Sequence, residues 1–190
     1  MQNKNNAVEL IKKFQQLFTD LNHKQIAERL VKLVVAKNSI SRAVLIVERD
    51  SHLYVEAIAS QQDSEPFVTG IATSLNRLNY LPHQHIRSVF DSRQVQTLDS
   101  EQILRLGAMF TQKGCKSCYL HPITENNKTI AVFYMESEYA LVHLTQAVHE
   151  LDTIWTFSSL LVRQVIDMWH HEEQAERFRL AEQALWASET

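Results

Sequence analysis

The spacing of apolar residues predicts where the first part of the chain is helical. Between residues 7 and 21, large apolar side chains recur every three or four positions, which places them on one face of an amphipathic helix. The same period runs from Ile26 to Val34 and predicts a second helix that ends near Asn38. Residues 1–22 are therefore expected to form an N-terminal amphipathic helix ahead of a folded domain.

The pattern then changes to the shorter period of β-strands. Residues 42–50 ("RAVLIVERD") and 52–60 ("HLYVEAIAS") predict an antiparallel hairpin. A short strand is expected over 94–98 ("QVQTL"), and a second hairpin over 117–123 ("SCYLHPI") and 129–137 ("TIAVFYMES"), with "TENNK" as its turn. Because hairpins form antiparallel sheets, the predicted fold class is α+β, an antiparallel β-sheet flanked by helices.

Further helices are expected around these strands. Residues 82–92 predict a helix with a proline in its first turn, where the missing N–H costs nothing. A helix over 101–111 would begin with a capping box formed by Asp99 and Gln102. Residues 61–80 show no clear period, and the chain beyond the last strand is predicted to be helical to its end.

The composition narrows the range of functions. With 190 residues, 45% of them hydrophobic and 22% charged, the chain can bury one full core. A formal charge of −3 and the lack of a basic run argue against a nucleic-acid partner. No segment approaches the roughly 20 uninterrupted apolar residues of a membrane span, and the first residues lack a signal-peptide core. We therefore expect no membrane partner and a cytoplasmic location.

The order of elements and several strings resemble a GAF domain, the sensory module of bacterial histidine kinases, cyclases and phosphodiesterases. "AVLIVERDSHLYVEA" is similar to the first GAF hairpin, "SCYLHPITENNKTIAVFYMES" to the hairpin with a central proline, and "FSSLLVRQV" to the start of the terminal helix. The resemblance covers roughly residues 23–168. It implies a sheet with helices on one face and a small-molecule pocket on the other, and terminal helices from two chains packed as a homodimer.

The resemblance does not identify a ligand or cofactor. The Asn-Lys-Phe-Asp-Glu signature of cyclic-nucleotide GAF domains is missing, and neither cysteine is followed by histidine, as the bilin-attaching cysteine usually is. Family geometry would line the pocket with the irregular region and the inner face of the sheet. The polar residues expected there are Tyr80, His83, His85, Asp91, His121 and Tyr134.

The only two cysteines, Cys115 and Cys118, stand three positions apart. Strand alternation places Cys118 and Leu120 on one face, and Tyr119 and His121 on the other. This pattern favours a structural role for the thiols. Two alternatives stay open: a redox-active dithiol, or an enzyme of the free methionine sulfoxide reductase type.

A metal site is not expected from these residues. Zinc prefers four donors, and the chain has no second C-x-x-C or H-x-x-x-H motif to complete a set. "HELDT" at 149–153 carries Thr153 where a metalloprotease motif needs its second histidine. No acid–base pair suggests a catalytic site either.

The terminal helix carries the strongest functional pattern. From residue 144 to 169 two apolar stripes run side by side, so a single sheet can cover only one of them. The first helix of the same chain could cover the other, but a heptad pattern continues past residue 170, where the remaining faces are charged. This favours a two-stranded coiled coil, weakened at the interface by the polar residues Gln164, His171 and Glu182. The predicted dimer interface is Ile154, Phe157, Leu161, Met168, Ala175, Phe178 and Leu185.

Together these patterns predict a non-catalytic signal-input domain over 23–168 and a coiled-coil linker over 169–190. The domain would be a homodimer that senses a small molecule and passes the signal through its terminal helix to a downstream output domain. The final "LAEQALWASET" has no helix-ending residue, which suggests that the chain is part of a longer protein. A ligand-free dimerisation module is the remaining alternative.

Overall fold

The computed structural model describes residues 12, 16–62, 73–111 and 114–188. In this part of the chain, six strands form one sheet in the order β3-β2-β1-β6-β5-β4, and every neighbouring pair is antiparallel. The predicted fold class is confirmed. The strands are β1 (Arg42–Arg49), β2 (His52–Ser60), β3 (Thr73–Ser74), β4 (Gln96–Leu98), β5 (Ser117–Glu125) and β6 (Lys128–Ser137).

Two tight hairpins set the register of the sheet. In the β1–β2 hairpin Arg49 pairs with His52, so the loop has two residues, Asp50 and Ser51, both with positive φ. The β5–β6 hairpin has the same form, with Asn126 and Asn127 at φ values of 48° and 61°. Two left-handed residues suit the right-handed twist of the flanking strands, and asparagine and aspartate tolerate this conformation better than most residues.

Six α-helices and one short 3₁₀ helix surround the sheet in the described ranges. The helices are α1 (His23–Val35), α2 (His83–Ser92), α3 (Ser100–Leu106), α4 (Ala108–Thr111), α5 (Leu141–His149) and α6 (Asp152–Ser188), and the 3₁₀ helix spans Leu75–Arg77. The predicted N-terminal helix over 7–21 lies mostly outside the described residues. The described end of that segment, 17–20, forms a turn in which Phe18 is buried.

Each face of the sheet is covered by its own set of helices. On what we call the first face, α1, α5 and α6 pack on Leu45, Phe133 and Met135. On the second face, α2, α3, α4 and the 3₁₀ helix pack on a core that includes Val44 and Leu120. Because successive strand residues point to opposite faces, the apolar runs of the central strands supply both cores.

The helix predicted over 101–111 is interrupted. Asp99 and Gln102 form the expected capping box, with both reciprocal hydrogen bonds present at the start of α3. The helix then ends at Gly107, whose φ of +115° lies outside the range of a helix, and α4 begins directly after it. Glycine adopts this φ without the steric cost that a Cβ would bring.

The single long helix predicted after the last strand is also interrupted, at residues 150 and 151. Leu151 is 2% exposed, and its carbonyl oxygen accepts hydrogen bonds from the backbone N–H groups of Ile154 and Trp155 at 2.8 and 3.0 Å. Asp152 follows in the first turn of α6, where a carboxylate interacts favourably with the helix dipole. The burial of the Leu151 side chain and the favourable start of a new helix at Asp152 together compensate for the break in the α-helix at residues 150 and 151.

No helix in the described ranges is both long enough and apolar enough to cross a membrane.

Candidate functional site

A connected set of polar side chains lies on the second face, at the edge of its core. Arg42 in β1 and Glu136 in β6 are directly opposite each other in the register and form a buried ion pair. The hydroxyl group of Tyr134 donates to Glu136 Oε1 at 2.7 Å. The guanidinium group of Arg42 stacks over the ring of Tyr80, 5.3 Å from its centroid. These contacts tie the two central strands to the segment that enters α2.

The two cysteines extend this network. Cys118 Sγ lies 3.3 Å from the hydroxyl oxygen of Tyr134, and Cys115 Sγ lies 3.5 Å from Cys118 Sγ. Both thiols are free and buried. The hydrogen bond with Cys115, together with burial, raises the pKa of the Cys118 thiol well above its usual value. A thiol held in its protonated form is a weak nucleophile.

The faces predicted for Cys118, Tyr119, Leu120 and His121 in β5 are confirmed. Cys118 and Leu120 belong to the core of the second face, whereas Tyr119 belongs to that of the first. Cys115 precedes the strand and follows a turn at Gly114.

Two of the predicted ligand residues, Tyr80 and Tyr134, come together through Arg42 and Glu136 on the second face. Burial, then the neighbouring Cys118 and Glu136, raise the pKa of Tyr134 well above its usual value, so its hydroxyl stays protonated and can donate. Tyr80 and Tyr134 are thus the members of the predicted ligand set that the structure brings into one network.

The other predicted ligand residues lie elsewhere. His83 Nε2 is 2.8 Å from the carbonyl oxygen of Leu78, which fixes the start of α2, and His85 is half-buried on the same helix. Asp91 is exposed near the end of α2. The Asp91 carboxylate faces solvent, so it does not point towards the core of the second face.

For His121 the prediction of a shared pocket with Tyr134 is wrong. His121 lies on the first face, where its ring stacks on Trp155 of α6 with centroids 4.3 Å apart. Burial lowers the pKa of His121 from 6.5 to about 4. Successive residues of a strand point to opposite faces of the sheet. The sheet therefore lies between the side chain of His121 on the first face and that of Tyr134 on the second.

Sequence reasoning missed Arg42 and Glu136. The signal that could have found them is strand alternation, since Arg42 continues the parity of Val44 and Ile46, and Glu136 that of Tyr134. Charged residues on a buried face are rare unless they are paired. Their pairing depends on strand register, which the sequence pattern alone did not supply.

A surface groove of about 430 Å³ lies between the end of α1 and α5. Lys37 Nζ and Glu150 Oε2 are 3.0 Å apart beside it. Its walls are mainly polar, unlike the apolar lining typical of small-molecule sites. The lining residues are Ala36, Lys37, Asn38, Ser39, His143, Gln146, Ala147 and Glu150.

The predicted dimer stripe on α6 divides into two parts. Ile154 and Leu161 are 9% and 6% exposed and belong to the core of the first face, so the prediction that they meet a second chain is corrected. Phe157 and Met168 are partly buried against the same core. Ala175, Phe178 and Leu185 are exposed. The chain's own sheet and helix α1 cover Ile154 and Leu161, because α6 packs on α1 and on strands β1, β5 and β6.

The point where α6 leaves the sheet is held by a second polar cluster. Arg49, fully buried at the end of β1, pairs with Glu56 of β2, and its guanidinium group lies 4.4 Å from the ring centroid of Trp169. His23 Nδ1 of α1 lies 3.1 Å from a carboxylate oxygen of Glu172. Beyond residue 173, every described side chain of α6 through residue 187 is exposed.

Within the described residues, no group of three or more His, Cys, Asp or Glu side chains is arranged to hold a metal ion.

Comparisons with solved structures match this architecture to the GAF fold. The chain is similar to a type II free methionine-R-sulfoxide reductase from Thermoplasma acidophilum (14% identity, TM-score 0.53, covering 75% of this chain and 92% of that one). It is also similar to the GAF domain of a two-component sensor histidine kinase from Bacillus halodurans (15%, 0.51, 74% and 93%). A third is the GAF domain of an Acinetobacter phosphoenolpyruvate-protein phosphotransferase (11%, 0.51, 90% and 96%).

The chain therefore has a GAF fold, as its sequence resemblance implied. The sequence matches no protein-family model and no curated protein. At these sequence identities the similarity shows the fold alone, and sensory domains and a reductase share that fold.

Proposed function

We propose that this protein is a non-catalytic, cytoplasmic signal-input domain that acts as a parallel homodimer. Residues 23–168 form the sensory domain, and residues 169–190 form a coiled-coil linker that passes the signal to a downstream output domain. The GAF fold, which is found in a sensor histidine kinase and a phosphotransferase, supports this class of function. The cluster of Arg49 and Trp169 lies where the linker leaves the sheet and supports a direct mechanical link between the two.

The observation that carries the proposal is the exposed apolar end of α6. Phe178, Leu180, Leu185 and Trp186 are 75%, 53%, 64% and 74% exposed on the part of α6 that extends beyond residue 173. An isolated helix gains little stability in water and relies on packing of its apolar face. Phe178 and Leu185 are seven residues apart, which places both on one seam of a coiled coil. A second copy of the same helix would cover that seam on both chains.

Sedimentation equilibrium tests this interface. We expect the wild-type protein to dimerise, and the Phe178→Gln/Leu185→Gln variant to dissociate, because glutamine retains helix propensity but removes the apolar contacts. Each substitution counts twice in a symmetric dimer, so four buried apolar side chains worth roughly 1.5 kcal/mol or more each are lost, which weakens association by at least about ten-thousandfold.

Leu104→Gln is the matched control, since Leu104 is 65% exposed on α3 and lies away from α6. It removes comparable apolar surface and should dimerise like the wild type. A wild-type protein that stays monomeric at high concentration, or a double variant that dimerises unchanged, would contradict the proposal.

We propose that the sensed small molecule binds on the second face beside Tyr80 and Arg42. Tyr80 is only half-buried, so it connects the polar network of Arg42, Tyr134 and Glu136 to the surface. Native mass spectrometry of protein from its own host tests this: a dimer that carries an added small-molecule mass supports binding. A dimer of bare chain mass would instead support the ligand-free dimerisation module.

A reductase activity is the competing function that the shared fold allows. The buried Cys118, with its raised pKa, is poorly suited to attack a sulfoxide, so a reductase of this type would have to use Cys115 as its nucleophile.

A further inference from the structure

Cys115 and Cys118 are two free thiols in direct contact inside the protein. Their sulfur atoms are 3.5 Å apart, and a disulfide bond requires a separation of about 2.05 Å. The sulfur atoms must therefore approach each other by about 1.5 Å, a distance that side-chain rotation and a small backbone adjustment can supply.

The backbone allows this movement at one of the two cysteines. Cys118 is fixed inside β5, paired with Leu98 of β4 on one side and Glu136 of β6 on the other. Cys115 lies outside the strand, directly after Gly114, which has a φ of +73°. Ser117 is the first residue of β5 that is paired with β6, and the N–H of Lys116 already donates to the carbonyl oxygen of Ser137 at 2.8 Å. An adjustment confined to Cys115 and the turn at Gly114 leaves the strand ladder intact.

Access also differs between the two thiols. Cys115 is 7% exposed, whereas Cys118 is completely buried among the side chains of the second-face core. A peroxide molecule, which is little larger than water, can reach a thiol at such a boundary more easily than a peptide or a bulky disulfide can. The order of events that fits this difference is oxidation at Cys115 first, followed by reaction with Cys118.

We propose that Cys115 and Cys118 form a reversible intramolecular disulfide on exposure to hydrogen peroxide. The Cys115 sulfur attacks a peroxide oxygen: an S–O bond forms, the O–O bond breaks, and the departing hydroxide takes the thiol proton as water. The Cys118 sulfur then attacks the Cys115 sulfur, so that the S–S bond forms and the S–O bond breaks. The hydroxide that leaves takes the Cys118 proton, giving a second water. Two thiols are oxidised by two electrons, and one peroxide is reduced to two waters.

The disulfide alters the polar network of the second face. Reduced Cys118 shares a hydrogen-bond contact with the hydroxyl group of Tyr134, which in turn donates to Glu136, the partner of Arg42. Oxidation removes the thiol proton of Cys118, so the hydroxyl oxygen of Tyr134 can no longer accept a hydrogen bond from that thiol. This step would link oxidation to the central strands β1 and β6. Its role in signalling rests on the proposed input function, whereas disulfide formation does not.

Intact-mass measurement of the full chain tests the proposal. Reduced protein is treated with hydrogen peroxide, quenched with catalase, and alkylated with N-ethylmaleimide in denaturant. We expect wild-type chains that have lost the mass of two hydrogen atoms and take up no maleimide, and we expect dithiothreitol to restore two maleimide additions. Wild-type chains that keep two reactive thiols, or that form sulfinic acid on Cys115 without a disulfide, overturn the proposal.

Two variants test the order of the steps. Cys118→Ser should stop at a Cys115 sulfenic acid that dimedone traps, and Cys115→Ser should keep an unmodified Cys118 after the same exposure. Oxidation of Cys118 in the Cys115→Ser variant, at the wild-type rate, overturns the assigned order. The wild-type measurement decides the disulfide itself even if a variant fails to fold. Sedimentation of the same oxidised sample reports the dimer separately, so failure of one idea is distinguishable from failure of the other.

Discussion

Replacing His121 with phenylalanine removes a titratable ring from the contact between β5 and α6. The His121 ring stacks on Trp155, and Trp155 makes an edge contact with Phe133, with centroids 5.3 Å apart. His121 Nδ1 is buried and has no hydrogen-bond partner among the described residues. Phenylalanine preserves the aromatic stack, so the variant isolates the effect of protonation.

The pKa of His121 gives the magnitude and sign of the effect. Burial lowers it from 6.5 to about 4, so between these pH values the unfolded chain binds a proton that the folded chain does not. The stability that comes from a neutral His121 is fully present above pH 6.5 and is lost as the pH falls towards 4. A difference of about 2.5 pH units in pKa, at about 1.4 kcal/mol for each, corresponds to a loss of roughly 3 kcal/mol.

Urea unfolding at pH 7.5 and pH 4, at one protein concentration, measures this difference. We expect the stability of His121→Phe relative to the wild type to increase by roughly 3 kcal/mol between pH 7.5 and pH 4. His23, whose pKa burial also lowers, titrates in both proteins and cancels in the comparison. His52→Phe, at the exposed tip of the first hairpin, controls for the general effect of replacing a histidine with phenylalanine. An unchanged difference between wild type and His121→Phe at the two pH values would refute the assigned burial.

Two further predictions concern the second polar cluster, which contains Arg49 and Glu56, and the absence of catalysis. Burial lowers the pKa of Arg49 and raises that of Glu56, which indicates that desolvation outweighs their pairing. Arg49→Met alone should therefore cost about 3–5 kcal/mol in denaturant unfolding, and Arg49→Met/Glu56→Leu should recover most of that loss; equal costs would contradict this account. Incubation with free methionine sulfoxide and dithiothreitol should give no turnover above that of Cys115→Ser/Cys118→Ser, and reduction that depends on the thiols would contradict a non-catalytic domain.

The strand pattern predicted the sheet well because its signals are local. The two hairpins were expected from alternating β-rich segments and polar turns, and they appear with two-residue loops at Asp50–Ser51 and Asn126–Asn127. The capping box of Asp99 and Gln102 was also correct, since both hydrogen bonds join residues three apart. The breaks at Gly107 and Leu151 were not predicted, because apolar periodicity continues through them. The first coincides with the positive φ of Gly107 and the second with the burial of Leu151.

The candidate site was less predictable because it joins residues that are distant in sequence. The predicted ligand set combined residues from both faces of the sheet. Tyr134 and His121 lie on opposite faces, and the alternation of side chains along the strands was enough to predict this. The pairing of Arg42 with Glu136 depends on the register between the first hairpin and the last strand. No local pattern sets that register, so neither residue was recognised as part of the site.

The sequence by itself determined the α+β class, the hairpins, the face of Cys118 and the apolar seam that continues past residue 170. These features follow from periods of two or 3.6 residues and from turn chemistry, which act over a few positions. Only the tertiary structure decided that Ile154 and Leu161 belong to the chain's own core, that Phe178 and Leu185 remain exposed, and that the two sulfur atoms lie 3.5 Å apart. Such outcomes depend on which surfaces meet when distant elements pack, and burial is a property of that assembly rather than of any segment.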